Sequence, residues 1–301
     1  MDTARTEPFR TGAGDPGGPV EAVVLDFYGT LVRLVPPLPP SHDSVLRRRG
    51  LHEAADRWGD QWSTGPGDGE DHREHSRSES AYRAWEVDRL RRRALDRGVP
   101  AELAAEVAAE LDTATKTLTL ERYPDAVAPL AALRERGVRI VICSNWYWDL
   151  DRAVADTGLG QVVDAFVASA RAGARKPNPL IYRAALDACG TPPGRTLFVG
   201  DMWEPDVVGP LAQGMRAVHL HRPDRAVEGD APPLPAGAAR ITGLDALPGL
   251  VERAGPTGPA GPFAGSATGS VAGAAPGALP GAVPESVEPP GPGTAGRGRS
   301  G

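Results

Sequence analysis

From Tyr123 to about residue 254, short apolar runs alternate with stretches of helical apolar spacing. Val138–Cys143, 164–168, Thr196–Val199 and Ala217–Leu220 read as strands, and 125–136, 147–157, 179–189 and 206–214 as the helices around them. A last unit reads as strand Arg240–Thr242 and helix 244–253. Strands alternating with helices require a parallel sheet covered on both faces. Right-handed crossovers then carry the C-terminal end of every strand to one edge, and sheets of this kind bind ligands there.

An earlier strand belongs to the same sheet. Ala22-Val23-Val24-Leu25-Asp26 is apolar throughout and ends in an acid, the pattern of a buried parallel strand. Gly29 and a proline-rich stretch from Val35 to Pro40 follow, and apolar spacing then turns helical around 41–57, 79–97 and 101–119. The polar piece Ser63 to Ser78 reads as a loop. The fold class is therefore α/β: a Rossmann-like parallel sheet with helices on both faces, built from 19–35 and 123–254, with an all-α insertion at 36–122. Residues 1–18 read as a flexible leader. Residues 255–301, with 13 Gly and 9 Pro, lack the apolar content to order themselves. The leader holds a GxGxxG match at Gly12, Gly14 and Gly17, but a dinucleotide fingerprint needs a strand before it, and here a strand follows instead.

Composition removes several function classes. A net charge of −6 gives no global attraction to nucleic acid or an anionic membrane. Two cysteines, Cys143 and Cys189, exclude a disulfide framework or a Cys-rich zinc module. The uncharged stretch 254–284 contains six prolines, which excludes a continuous spanning helix, and the polar start lacks the apolar core of a secretion signal. The expected location is the cytoplasm, and the expected partner a small molecule, with the chain a monomer or homodimer.

The strand ends carry complementary groups. Asp26 opens Asp26-Phe27-Tyr28-Gly29-Thr30-Leu31. Ser144 and Asn145 follow the next core strand, a later loop holds Arg175-Lys176-Pro177, and another strand ends at Gly200-Asp201-Met202-Trp203-Glu204-Pro205-Asp206. Taken singly, each residue reads equally well as a strand-end cap or a loop side chain. Together on one edge they describe a phosphoryl site. Asp26 and Asp201 offer hard oxygen ligands for Mg²⁺, Lys176 adds positive charge and Ser144 a hydroxyl donor. With the charge neutralised, Asp26 can attack phosphorus and form an aspartyl-phosphate.

In this order the four segments resemble the four motifs of the haloacid dehalogenase superfamily of hydrolases, in the subgroup with a helical cap after the first core strand. The resemblance covers about residues 20–250. It implies Asp26 as nucleophile and Mg²⁺ held by Asp26, the backbone oxygen of Tyr28, and Asp201. Thr30 would support that loop. Ser144, the backbone amide of Asn145, and Lys176 would hold the phosphoryl oxygens. Asp206 would act through a metal-bound water or orient Lys176, with Glu204 as the alternative, and the cap would close over the site and set substrate choice.

One position departs from the phosphatase pattern. Most phosphatases of the family place a second Asp two residues after the nucleophile, and here that residue is Tyr28. A phenol with a pKa of about 10 is a poor base at neutral pH. Tyrosine there also resembles the metal-independent 2-haloacid dehalogenases, with Arg57 a weakly placed candidate for their substrate-carboxylate arginine. The acidic Gly200-Asp201 keeps the phosphatase form. The expected function is Mg²⁺-dependent hydrolysis of a small phosphorylated metabolite. The alternatives are carbon–halogen hydrolysis and a catalytically weak binding protein with the same fold. Other signals read as structural: Trp146, Tyr147, Trp148 and Trp203 as packing between loops, His72 and His75 as cap-loop residues, His219 and His221 as surface positions, Arg89 to Arg97 as a solvated helix face, and Cys143 as a core thiol.

Overall fold

The computed structural model describes residues 6–9, 18–59, 67, 69–116, 118–225 and 231–253. The glycine match at 12–17 and the 255–301 tail lie outside these residues, as do most of the leader, residues 60–62, and residues 63–66 and 68 of the loop read at 63–78.

The sheet grows from β2 (Ala22–Leu25), a run of four residues without solvent exposure. It pairs in parallel with β5 (Arg139–Ser144) on one side and β7 (Thr196–Gly200) on the other. Beyond β5 lies β6 (Ala165–Ala168), and beyond β7 lie β8 (Arg216–Leu220) and β9 (Ala238–Ile241). β1 (Thr6–Glu7) closes the far edge, giving the order β1-β9-β8-β7-β2-β5-β6.

Side chains alternate across this sheet, as strand geometry requires. Val23 and Leu25 enter one apolar cluster with Leu130 and Leu133 of α5 (Val127–Glu135), Leu150 and Val154 of α6 (Leu150–Asp156), and Leu250 of α10 (Leu247–Arg253). Ala22 and Val24 enter the opposite cluster with Ile181, Tyr182, Ala185 and Cys189 of α8 (Pro179–Cys189). Two covered faces account for the near absence of polar residues in β2, β5 and β7. α8 shows clear local signals: Asn178 accepts from the Leu180 N–H, Pro179 starts the helix, and Gly190 ends it at φ 67°.

Between β3 (Val32–Leu34) and β4 (Leu120–Arg122), an antiparallel pair, the chain makes α1 (His42–Arg48), α2 (His52–Arg57), α3 (Glu79–Asp96) and α4 (Ala101–Lys116). These helices have their own core, with Trp58, Leu90, Val107 and Leu111 fully or almost fully buried. In α3 the buried positions Tyr82, Glu86, Leu90 and Ala94 recur every four residues, and the Ser78 side chain caps the helix by accepting from Ala81 N–H.

Four expectations change. Thr6–Glu7, read within a flexible leader, instead pairs antiparallel with Ile241 and Arg240; two residues are too few to show strand periodicity. The helix read at 206–214 is a widened π turn, Glu204–Val208, that continues as α9 (Gly209–Ala212). Arg89 and Arg93 are not on a purely solvated face: their guanidinium groups lie 4.9 Å from the Trp85 ring and 4.7 Å from the Trp58 ring. Finally, the end of the loop read at 63–78 runs beside the segment after α7 (Ser169–Ala172). Gly69 N–H donates to Lys176 O (3.1 Å), His72 N–H to Gly173 O (2.7 Å) and Arg175 N–H to Glu70 O (3.1 Å). Among the described residues, no helix is long and apolar enough to cross a membrane.

Candidate active site

Register places the site. Leu25 pairs with both Ile142 and Val199, so Asp26, Ser144 and Asp201 emerge together where the three central strands stop pairing. The carboxylate oxygens of Asp26, Asp201 and Asp206 lie within 4.8 Å of one another. Among the described residues, no other cluster of three or more such side chains could share a metal ion.

Two cations hold these acids together. Lys176 Nζ donates to Asp26 Oδ1 (2.7 Å) and to Asp206 Oδ1 (2.6 Å), with all three side chains buried. Ser144 Oγ donates to the same Asp26 oxygen at 3.0 Å, and Met202 N–H donates to Asp206 Oδ2 at 3.0 Å. Arg225 Nε donates to Asp201 Oδ2 at 3.1 Å, while Thr30 Oγ1 stands 3.4 Å from Asp201 Oδ1. The acids pack directly on glycine backbone. A Cβ on Gly29, at φ +90°, would overlap the Asp201 carboxylate, and one on Gly200 would overlap that of Asp206.

The electrostatics follow from burial. Burial, and next the Asp26 carboxylate, push Asp201 up to about 6, against the pull of Arg225 and Lys176. Burial also pushes Asp206 up to about 7, opposed by Lys176. Burial works against the charged Lys176 ammonium, but Asp206 and Asp26 outweigh it and hold its pKa above the ordinary lysine range. Three acids facing two cations leave net negative charge in a dry site built of hard oxygen donors, an environment suited to a small divalent cation.

The residues expected at the edge thus come together: Asp26, Thr30, Ser144, Lys176, Asp201 and Asp206. Asp206, not Glu204, bonds Lys176; Glu204 is exposed. The Asn145 side chain lies against the Lys176 main chain, Oδ1 accepting from N–H (2.7 Å) and Nδ2 donating to O (3.1 Å), a contact the sequence reading did not foresee. Tyr28 is half-buried, with the Arg225 guanidinium 4.9 Å from its ring. Arg57 is exposed and paired with Glu53 in its own helix.

Other aromatic and histidine positions sort themselves by packing. Trp146 meets Phe27 edge-on at 5.2 Å, and Trp203 meets His219 edge-on at 5.4 Å. His72 is buried among Tyr82 and Trp85, with Nδ1 2.9 Å from Ser76 Oγ. Burial pushes the Cys143 thiol up to about 12, as for an inert core residue.

The surface reading of His219 is wrong. It is buried, because β8 lies between β7 and β9. Arg240 Nε donates to its Nδ1 (3.1 Å), so the proton sits on Nε2, 3.3 Å from the Asp201 carbonyl oxygen. Burial, then Arg240, push this imidazole down to about 4.

Two arginines after β8 were not singled out from the sequence. Arg222 binds both oxygens of Asp125 at 3.0 Å and donates to Thr30 O at 2.8 Å, tying down the loop after β2, and Arg225 reaches Asp201. Their position after a core strand's C-terminal end was the available signal.

A family model for haloacid dehalogenase-like hydrolases matches residues 20–212, the span that contains every acid of this site. The chain belongs to that family. Among its relatives is the phosphoserine phosphatase of Thermus thermophilus, 36% identical over 112 residues, which are 37% of this chain and 45% of that protein. The haloacid dehalogenase-like hydrolase domain-containing protein 3 of Bos taurus is 26% identical over 244 residues, 76% of this chain and 95% of that protein. Further relatives are named as phosphoglycolate phosphatase and as (S)-2-haloacid dehalogenase. The crystal structure of a phosphatase of this family from Thermococcus onnurineus has the same fold, with TM-score 0.52 and 24% identity over 77% of this chain and 97% of that one. The first of these matches spans under half of the relative's own length.

Proposed function

We propose that this hydrolase is a Mg²⁺-dependent phosphatase of a small phosphorylated metabolite, acting through an aspartyl-phosphate on Asp26. The observation that carries this reading is the meeting of Asp26, Asp201 and Asp206 at the open strand ends, with Lys176 bridging Asp26 and Asp206. A dehalogenase attacking carbon has no use for that concentration of acids, whereas a phosphoryl centre does once a cation is present.

Asp26, Asp201 and the backbone oxygen of Tyr28 would hold Mg²⁺, with Asp206 acting through water. The ion would supply positive charge between the attacking carboxylate and the phosphoryl oxygens. Lys176 and Ser144 both engage Asp26 Oδ1, fixing the carboxylate's rotation and leaving attack to Oδ2. As that oxygen bonds to phosphorus, the bond to the leaving oxygen breaks. Lys176, the Asn145 backbone N–H and the Ser144 hydroxyl, once it turns from Asp26 Oδ1, then stabilise the charge on the phosphoryl oxygens. Tyr28 stands where the family's phosphatases carry their acid–base carboxyl group. It can donate a proton to the leaving oxygen but is a poor base for activating the water that follows. Aryl phosphates, whose leaving groups need little protonation, therefore suit this site better than alkyl phosphates.

The inserted helices serve as the cap. Supporting this are the main-chain bonds from 69–72 to 173–176, the Tyr82–Trp148 ring contact at 6.0 Å, and Lys116 Nζ 5.2 Å from the Tyr147 ring. Tyr147 and Trp148 follow Ser144 and Asn145 directly, so the helices bear on the loop that lines the site.

The test is hydrolysis of aryl and alkyl phosphates with Mg²⁺ and with EDTA, using Asp26→Asn as control. Mg²⁺-dependent release of phosphate, faster from aryl esters and lost in Asp26→Asn, is expected. Chloride release from 2-chloropropionate in EDTA would replace this reading with dehalogenation. Tight binding of a metabolite with neither activity would replace it with a binding protein.

A further inference from the structure

Arg225 occupies an unusual place. Its Nε is 3.1 Å from Asp201 Oδ2, and its guanidinium carbon is 4.9 Å from the centroid of the Tyr28 ring. Lys176 bonds Asp26 and Asp206, so Arg225 is the cation hydrogen-bonded to Asp201. The Asp201 carboxylate has little room to turn away, because it packs on the backbone of Gly29.

The two ends of the Arg222–Arg225 turn differ in their freedom. Arg222 is held by both Asp125 oxygens and by Thr30 O, with its side chain 7% exposed. The Arg225 side chain is 30% exposed; it bonds Asp201, lies beside the Tyr28 ring and interacts with the Tyr28 hydroxyl, contacts that all fall within the site. The turn is therefore anchored to the scaffold by Arg222, while Arg225 touches only groups of the site and has the more exposed side chain.

We infer that Arg225 is a tethered counter-ion that competes with the divalent cation for Asp201, so the ion must displace it to bind. The inference rests on the Mg²⁺-dependent reading above. A guanidinium and a divalent ion on one carboxylate repel each other, and the side chain with the exposed end is the one that leaves. Tyr28 provides the surface on which Arg225 rests while it bonds Asp201, an arrangement that an aspartate at position 28 would replace with a second ion pair.

Titration of the full chain with MgCl₂ by calorimetry tests this in wild type, Arg225→Gln and Arg225→Lys. Removing the charge should tighten Mg²⁺ binding by about tenfold, while Arg225→Lys should stay near wild type. In EDTA, Arg225→Gln should melt below wild type, and saturating Mg²⁺ should close that gap. Equal or weaker Mg²⁺ affinity in folded Arg225→Gln overturns the inference and leaves the phosphatase reading standing. Absence of Mg²⁺ binding in all three proteins overturns both.

Discussion

Asn145 holds Lys176 by the main chain on both sides of its Cα, its Oδ1 accepting from the N–H at 2.7 Å and its Nδ2 donating to the carbonyl at 3.1 Å. The ammonium at the far end of that residue stands 2.7 Å from Asp26 and 2.6 Å from Asp206. Asn145 is thus a positioning residue for the cation at the centre of the site. Asn145→Ala should lower kcat/KM by roughly tenfold to 10²-fold, the scale of small misplacements of reacting groups. It should also cost about 1–3 kcal/mol in stability for the Lys176 N–H left unpaired, the carbonyl keeping its bond from Gly69. Steady-state kinetics and urea denaturation measure the two effects separately.

Lys176→Met leaves Asp26 and Asp206 buried without their shared cation. At pH 8 the loss should be about 3–5 kcal/mol, as for a buried pair broken on one side. The loss should shrink at pH 5, because the abandoned Asp206 carboxylate, which burial already pushes up, can then bind a proton. Denaturant titrations at the two pH values check this, and an undiminished loss at pH 5 would contradict it.

Asp201 and Asp206 carry folded pKa values of about 6 and about 7, above the about 3.9 of an unfolded Asp. Between these values the folded chain binds more protons than the unfolded one, so this contribution to stability is full below about pH 4 and is lost as pH rises through 6 and 7. Protein in EDTA should therefore show a falling Tm from pH 5 to 8. Mg²⁺ should flatten the slope, and Asp206→Asn should reduce it without metal.

Gly29 combines φ +90° with a position where a Cβ meets the Asp201 carboxylate. Gly29→Ala should cost about 1–3 kcal/mol, the range of strained backbone positions, and weaken Mg²⁺ binding. Gly50→Ala is the control: its φ is +74°, but nothing lies within 4 Å of the added carbon. It should bring backbone strain alone and leave Mg²⁺ binding unchanged.

Tyr28→Asp restores a carboxyl group where the acid–base role falls in related phosphatases. It should raise alkyl phosphate turnover by about 10-fold or more, with a smaller change for aryl esters. Parallel rates on the two ester classes give the ratio that matters.

Much of this arrangement was readable from residue order because strand geometry is local and repetitive. Asp26, Ser144 and Asp201 each follow an apolar run, and parallel pairing brings such ends together. The span 179–189 was readable to the residue, since Asn178, Pro179 and Gly190 mark its ends chemically. What escaped depends on tertiary direction. Arg225 sits in a turn whose course is set by Arg222 gripping Asp125, nearly a hundred residues earlier in the chain. His219 looked like half of an alternating surface pair, yet a neighbouring strand lies on each side of it. The pairing of 69–72 with 173–176 uses main-chain atoms, which leave no trace in side-chain pattern.

That last seam restricts how anything can reach the acids. Gly69 shares a hydrogen bond with the carbonyl of Lys176 itself, so a hinge that peeled the inserted helices away along this line would drag the ammonium off both aspartates. Any opening of the inserted helices that keeps Lys176 between its two aspartates must therefore leave this seam intact. Because the stitches are peptide groups, side chains such as Glu70 and Asp71 are free to diverge toward new ligands without unfastening the lysine.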